Sequence, residues 1–379
     1  MRSAARRAPA LVMVAGAALA ACGSGSDSGT EAAADTSNAT TINVSLTSGG
    51  CVADPAGVAS GPVTFKVKNT NASSGTEVEL LNSSGKILGE KENLTPGLSG
   101  SFSLRLAPGT YEIYCPNTKK QRSPFTVTGA AATAPSEAPT SDAATAAYRA
   151  YVIAQVNELV TNTKAFTAAV AAGDVAKAKQ LYASTRYNYE TIEPVAESFG
   201  DLDPDIDARE NDVENPAQWS GFHKIEKALY QQSTLAGMAP YATKLEADVT
   251  KLQHLVAKEI YQPAQLANGA VELLDEVAKS KVTGEEERYS HTDLWDFAAN
   301  VEGARKAYAL LEPTLHAKNA TLATTITTRF NELQAKLATY KSGDGYVNYS
   351  TVTDAQRRQL AQAVDALAEP LSQVAALVS

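Results

Sequence analysis

The chain has 379 residues, a formal net charge of −9 and a hydrophobic fraction of 44%. At about 150 residues per domain, this length predicts two domains, and the apolar fraction excludes a chain that is disordered throughout. The excess of acidic residues argues against a nucleic-acid-binding protein, because phosphate contacts need a basic face. Three cysteines without a Cys-x-x-Cys pair exclude a disulfide-dense scaffold and a zinc ribbon.

The first residues have the pattern of a bacterial lipoprotein signal. Arginines precede an apolar stretch that is too short to span a membrane and ends in Leu-Ala-Ala-Cys at Cys22, a lipobox. We predict a signal peptide over residues 1–21 and lipidation of Cys22, with an ordinary secretory signal as the alternative. Residues 22–40 are small and polar, as in a flexible tether. The mature protein is then expected outside the cytoplasm, lipid-anchored to the cell membrane, at the cell surface or in the periplasm.

Residues 41–128 are predicted to fold as an all-β module. Short runs of alternating apolar and polar residues are separated by clusters of Gly, Pro, Asn and Ser. Such runs over about ninety residues are typical of a β-sandwich. We expect strands at Thr41–Leu46, Val63–Lys68, Glu77–Leu81, Ser101–Leu106, Thr110–Tyr114 and Phe125–Thr128.

A linker and a helical domain are predicted to follow. Residues 129–144 are rich in Ala, Pro, Ser and Thr without apolar periodicity, which is typical of a linker. Over residues 145–379, apolar residues recur at steps of three and four, which predicts helices packed as antiparallel bundles. We expect helices from 145, from 174 towards 200, and over roughly 219–232, 241–260, 263–281, 290–316, 320–341 and 354–378.

The densest acidic region lies at the start of this helical domain. Glu190, Glu193 and Glu197 follow each other at steps of three and four, which predicts that they share one helix face. A solvated acidic face is the alternative to a binding site. Because like charges repel at these spacings and little basic is interleaved, we expect a cation to offset them.

A histidine follows this acidic region. His223 and Glu226 are three residues apart on a predicted helix, an arrangement by which helical bundles supply metal ligands to their interior. Imidazole with several carboxylates suits iron, manganese or zinc. The zinc-protease signature His-Glu-x-x-His is absent. A later polar segment contributes Glu286 as a further candidate ligand.

The β module cannot carry an ordinary blue-copper site. Residues 23–222 contain neither histidine nor methionine, whereas such a site needs two histidines and a cysteine. The module does contain Cys51, Glu77 and Cys115. Either the two cysteines form a disulfide, as is usual outside the cytoplasm, or the three residues form an atypical metal site.

The helical motifs resemble those of the imelysin-like family. They are Tyr189-Glu-Thr-Ile-Glu193, Asp201-Leu-Asp203, Gly221-Phe-His-Lys-Ile-Glu226 and Tyr289-Ser-His-Thr-Asp293. The order of signal, β module, linker and helical domain is similar to that of family members that act in iron uptake. The resemblance implies a multidomain β plus all-α protein, with a cupredoxin-like β-sandwich over 41–128 and an imelysin-like antiparallel helical bundle over 145–379.

The resemblance also implies a function and a set of partners. It implies a protein that binds Fe2+ or Fe3+ and presents it to a membrane iron permease, with a haem peroxidase of the same uptake system as a further partner. The family's ligands fall on the helical residues Glu190, Glu193, Asp207, His223 and Glu226. Those of the β module fall on Cys51, Glu77 and Cys115, where copper or zinc is an alternative to iron.

Three interpretations of function follow. The first, an iron-binding transport component rather than an enzyme, is compatible with ferroxidase activity. The second is an imelysin-type metallopeptidase, against which the absent His-Glu-x-x-His signature argues. The third is a metal-independent, surface or glycan-binding lipoprotein whose acidic face is solvated.

Overall fold

A computed structural model describes residues 39–129, 139–213 and 215–379. The predicted signal peptide over 1–21 and Cys22 lie outside the described residues, as do most of the tether and the middle of the predicted linker. In the described part of the chain, no helix has the length and apolar character that a membrane span requires.

Nine strands of the described residues form a β-sandwich, which confirms the predicted architecture of the N-terminal module. One sheet has the order β2-β1-β4-β7 and the other the order β3-β9-β8-β5-β6. The alternation expected of a half-buried strand is clear in β4, where Val63, Phe65 and Val67 are buried. The bounds are β1 Thr40–Thr47, β2 Gly50–Asp54, β3 Gly57–Ala59, β4 Gly61–Asn69, β5 Val78–Leu81, β6 Ile87–Lys91, β7 Ser99–Leu106, β8 Gly109–Tyr114 and β9 Arg122–Thr128.

A disulfide joins the two sheets of the sandwich. Cys51 in β2 and Cys115, directly after β8, are bonded, with a Cα–Cα distance of 6.2 Å. Both sulfur atoms are consumed by this bond, so neither is a free thiolate that could bind a metal. The structure therefore contradicts the assignment of Cys51 and Cys115 as metal ligands and supports the alternative disulfide.

Eleven helices of the described residues follow the sandwich, and a two-residue pair of strands (β10 Lys341–Ser342, β11 Gly345–Tyr346) lies between α9 and α10. Turns of π-helix at Lys227–Gln231 and Val277–Lys281 extend α5 and α7. The long helix α1 packs against α2, α6 and α8. The bounds are α1 Pro139–Ala171, α2 Val175–Glu190, α3 Glu193–Glu197, α4 Leu202–Asp207, α5 Gly221–Glu226, α6 Ala239–Val256, α7 Pro263–Glu276, α8 Asp293–Lys318, α9 Ala320–Ala338, α10 Asp354–Leu371 and α11 Val374–Val378.

The acidic region does not form one continuous helix, contrary to the prediction. Helix α2 ends at Glu190, and the separate short helix α3 begins at Glu193. Pro194 lies in the first turn of α3, where a helix tolerates proline. In a helix that continued from α2, it would lack the N–H that bonds the carbonyl of Glu190 and its ring would clash with that carbonyl, so α2 ends before it. Glu197 therefore does not belong to the group of possible metal ligands that Glu190 and Glu193 form with Asp207.

The sandwich and the helices share one compact unit. Helix α7 packs against β6 and β7, and α11 packs against β4 and β7. The buried Asn268 of α7 donates a hydrogen bond of 2.9 Å to the carbonyl of Ser103. Ion pairs from Lys86 to Glu259 and from Lys91 to Asp275 also cross this boundary.

Candidate metal centre

A buried group of charged side chains lies where α2, α4, α5 and α8 meet the segment that follows α7. It contains all six ligands predicted in the helical domain: Glu190, Glu193, Asp207, His223, Glu226 and Glu286. Each of these side chains is at least nine-tenths buried. The alternative of a solvated acidic face therefore does not describe this group.

Close packing of α4 against the start of α5 places His223 beside Asp207. Gly221 has a φ of +85°, and a Cβ atom there would lie 2.1 Å from the carbonyl oxygen of Ile206. Ser220 donates a hydrogen bond to the carbonyl of Asp205 at 2.9 Å, and Trp219 donates one to that of Ala208 at 2.7 Å. The glycine that precedes Phe-His in the sequence is thus required for this approach.

His223 presents one ring nitrogen to a pair of carboxylates. Its Nε2 lies 3.4 Å from Glu286 and 3.7 Å from Asp207. This nitrogen is buried and has no hydrogen-bond partner among the described residues. One ligand atom from each of these three residues lies within 4.8 Å of the other two, so a single metal ion could contact all three.

Glu226 holds the other side of the imidazole ring. Its Oε2 lies 3.0 Å from Nδ1 of His223, and its Oε1 accepts hydrogen bonds from the backbone N–H groups of Ser290 and Tyr289 at 2.7 and 2.9 Å. A carboxylate that accepts the Nδ1 proton leaves the Nε2 lone pair available to a metal. Glu226 therefore orients the ring.

A second group of carboxylates adjoins the first. Glu190, Glu193 and Asp207 each offer an oxygen within 4.8 Å of the others. Asn300 of α8 donates hydrogen bonds to Glu190 and Glu193 at 3.3 and 3.1 Å. Asp207 belongs to both groups, so the two possible ion positions share a ligand.

Two buried cations that no sequence motif indicated compensate these carboxylates. Arg186 of α2 is fully buried and pairs with Glu190, Asp207 and Glu287. Lys281, at the end of the π-helical turn after α7, lies 3.1 Å from both Glu190 and Glu193. The only sequence signal was the expectation that some cation must offset the acidic region.

Positive charge is favoured at His223, either as a proton on Nε2 or as a metal ion that replaces this proton. Burial and the nearby Arg186 lower the pKa of the imidazole, but Asp207, Glu226 and Glu286 outweigh them and raise it well above its ordinary value. Burial raises the pKa of Glu286, but Lys281, His223 and Arg209 together hold it well below its usual range. Charged acceptors therefore surround the position that a metal would take at Nε2.

A cavity of ≈ 460 Å³ opens onto this site. Its walls include Asp207 and Glu286 of the first group, Glu193 of the second, and Arg209, which forms an ion pair of 3.0 Å with Glu286. Glu92 of the β-sandwich lines the same cavity. The site is thus reachable from the side on which the sandwich lies.

The structure does not group Glu77 with the two cysteines that were predicted as ligands beside it in the β module. Cys51 and Cys115 are bonded to each other, and no cysteine belongs to any of the possible ligand groups found among the described residues. Glu77 lies instead with Glu79 and Glu90, each offering an oxygen within 4.8 Å of the others.

Known proteins resemble the chain in both of its parts. The family model for imelysin matches residues 144–374, and that for a cupredoxin-like domain matches residues 11–127. The iron uptake system component EfeO of Escherichia coli K12 is 42% identical over 342 residues, which cover 88% of this chain and 90% of that protein. The protein of the same description from Shigella flexneri gives the same values.

A solved structure shares the fold. The crystal structure of a protein from Parabacteroides distasonis, provisionally described as an iron-regulated protein A precursor, has a TM-score of 0.51 and 16% identity, and the match covers 65% of this chain and 97% of that chain. The two family models and the EfeO relatives establish that the chain belongs to the imelysin family and is an EfeO-type protein with a cupredoxin-like N-terminal domain.

Proposed function

We propose that this protein is the extracytoplasmic iron-binding component of an iron uptake system, capturing Fe2+ or Fe3+ at His223 and passing it to a membrane permease. One observation carries the proposal: the buried Nε2 of His223 has no hydrogen-bond partner among the described residues and faces Asp207 and Glu286. The EfeO relatives, described as iron uptake system components, support iron as the cargo.

The proposed ligands match the chemistry of iron. One imidazole nitrogen and two or more carboxylate oxygens suit ferrous and ferric ions, which take harder ligands than Cu+ does. Asp207, His223 and Glu286 form the first ion position, and Glu190 and Glu193 extend it. Glu226 acts through His223 as a positioning residue rather than as a ligand, since both of its oxygens are engaged.

The site also suits release of its cargo. Arg186 and Lys281 already neutralise part of the carboxylate charge, so the carboxylates do not gain their full attraction for a metal. An ion held this way exchanges more readily than one in an uncompensated carboxylate cage. A ligand set that prefers Fe3+ would also favour the loss of one electron from bound Fe2+ to an external acceptor such as dioxygen, which makes ferroxidase activity part of the proposal.

Lipidation of Cys22 would keep the protein beside its membrane partners. The lipobox in the sequence supports this anchor, and the uptake-system names of the relatives support partners within such a system. A permease that receives the ion and a haem peroxidase are the partners that we propose.

Iron binding by single-site variants tests the proposal. We expect His223→Ala to weaken Fe2+ binding at least tenfold under anaerobic conditions, measured by equilibrium dialysis and metal analysis. His316→Ala is the matched control, because His316 is an exposed histidine near the end of α8. Equal iron binding by the wild type and the His223→Ala variant would refute the proposed centre.

A further inference from the structure

A separate group of carboxylates lies at the boundary between the β-sandwich and the helices. Glu90 of β6, Glu197 of α3 and Glu272 of α7 each offer an oxygen within 4.8 Å of the others. None of the three is a predicted ligand of the His223 centre. The group exists only because the sandwich is docked against α3 and α7.

Glu90 is buried without a partner for its charge. Its side chain is 5% exposed. Among the described residues, no lysine, arginine or histidine forms an ion pair with it, and no N–H or O–H group outside the neighbouring carboxyls donates a hydrogen bond to it. The ionised form of a carboxyl buried in this way is costly unless a bound cation supplies positive charge.

The surroundings of Glu90 differ from those of the His223 centre. Burial and the nearby Glu77, Glu92, Glu272 and Glu79 raise the pKa of Glu90 well above its usual range. Burial also raises the pKa of Glu272 to about 8, with only partial relief from Lys91. In contrast to the centre, where Arg186 and Lys281 compensate the charge, this boundary lacks a built-in cation of that kind among the described residues.

The two halves of this group are held in register. Lys91, next to Glu90, pairs with Asp275 of α7, and Asn268 of the same helix is hydrogen-bonded to Ser103 of β7. Gln265 of α7 donates a further hydrogen bond of 3.2 Å to the carbonyl of Leu88 in β6. These contacts fix β6 against α7, so the carboxylates face each other without further rearrangement.

We propose that Glu90, Glu197 and Glu272 form a second cation site, at the domain boundary, for a hard divalent or trivalent ion. Three carboxylate oxygens without nitrogen or sulfur donors favour such an ion over a soft one. Glu197 also lines the ≈ 460 Å³ cavity that reaches Asp207 and Glu286. An ion that leaves the boundary site therefore enters the space in front of the His223 centre.

Binding of Fe2+ alone to the full chain under anaerobic conditions tests this site. We expect the wild type to bind two ions, one at the His223 centre and one at the boundary site. The Glu90→Gln, Glu272→Gln double variant should keep the ion at the His223 centre and bind the ion at the boundary site at least tenfold more weakly. His223→Ala should lose the ion at the His223 centre and keep the one at the boundary site. The three changes together should abolish binding at both sites. Glu112→Gln, which alters an exposed carboxylate of the sandwich, is the matched control.

Thermal unfolding distinguishes lost binding from lost folding. Glutamine keeps the shape of glutamate without its charge, so the metal-free double variant should melt no lower than the wild type. Added Fe2+ should raise the melting temperature of the His223→Ala variant through the boundary site. Unchanged stoichiometry and affinity in the double variant would overturn the boundary site, whereas full binding by His223→Ala would instead overturn the proposed function.

Discussion

Replacing Arg186 with methionine tests whether the metal-free centre depends on an internal cation. The guanidinium is fully buried and contacts Glu190, Asp207 and Glu287. Methionine keeps a long side chain in the same space but leaves these carboxylates without that charge. Removing one partner of a buried ion pair usually costs about 3–5 kcal/mol.

The pH dependence of this cost follows from the same contacts. A buried carboxylate that loses its cation takes up a proton, whereas a glutamate in the unfolded chain keeps its ordinary pKa of 4.5. The loss should therefore reach about 3–5 kcal/mol at pH 7.5 and be smaller at pH 5.0, where the unfolded chain also binds part of these protons.

Urea unfolding of metal-free protein, followed by circular dichroism at both pH values, measures this loss. Arg329→Met is the matched control, because Arg329 pairs with Glu332 at 2.8 Å where both side chains are about half exposed, and such pairs are worth about 0–1 kcal/mol. A loss below about 1 kcal/mol at pH 7.5, or equal losses at the two pH values, would refute the reasoning.

Three further predictions concern other parts of the structure. Burial raises the pKa of Asp293 to about 7, so the folded protein holds a proton that the unfolded chain releases near pH 4, and stability is lost as pH rises towards 7. Between pH 5 and pH 8 the wild type should therefore lose about 2.5 kcal/mol of stability that the Asp293→Asn variant does not lose. Urea unfolding of both proteins measures this difference, and parallel pH profiles would contradict the prediction. The Cys51→Ala, Cys115→Ala double variant removes a disulfide whose cysteines are 64 residues apart in the chain, and its free energy of unfolding should fall by about 4 kcal/mol. An unchanged urea midpoint would show that the disulfide does not stabilise the sandwich. A Cβ atom at Gly303 would lie 2.2 Å from the carbonyl oxygen of Thr191, so Gly303→Ala should push α8 away from the junction of α2 and α3. We expect this change to lower the free energy of unfolding by about 1–3 kcal/mol and to weaken iron binding measured by dialysis. Wild-type iron affinity in a folded Gly303→Ala protein would show that this junction does not position the ligands.

The sequence alone was enough for the fold class, and the six residues it predicted as ligands in the helical domain lie in one buried group. Alternation at period two along β4 and apolar steps of three and four along the helices arise from neighbours in the chain, so they can be recognised without a structure. The spacing of His223 and Glu226 is likewise local. Short strands with few apolar residues, such as β3 and β6, carry too little of this signal and were not predicted.

Only the tertiary structure decided how the charges are compensated and which carboxylates share a site. Arg186 and Glu286 are 100 residues apart in the chain, and their proximity depends on how α2 packs beside the segment after α7. The same holds for the bond between Cys51 and Cys115 and for Glu90 beside Glu272, which meet only across packed elements. Local pattern follows from backbone geometry over a few residues, whereas ion pairing and metal ligation depend on distances in space that long-range packing alone sets.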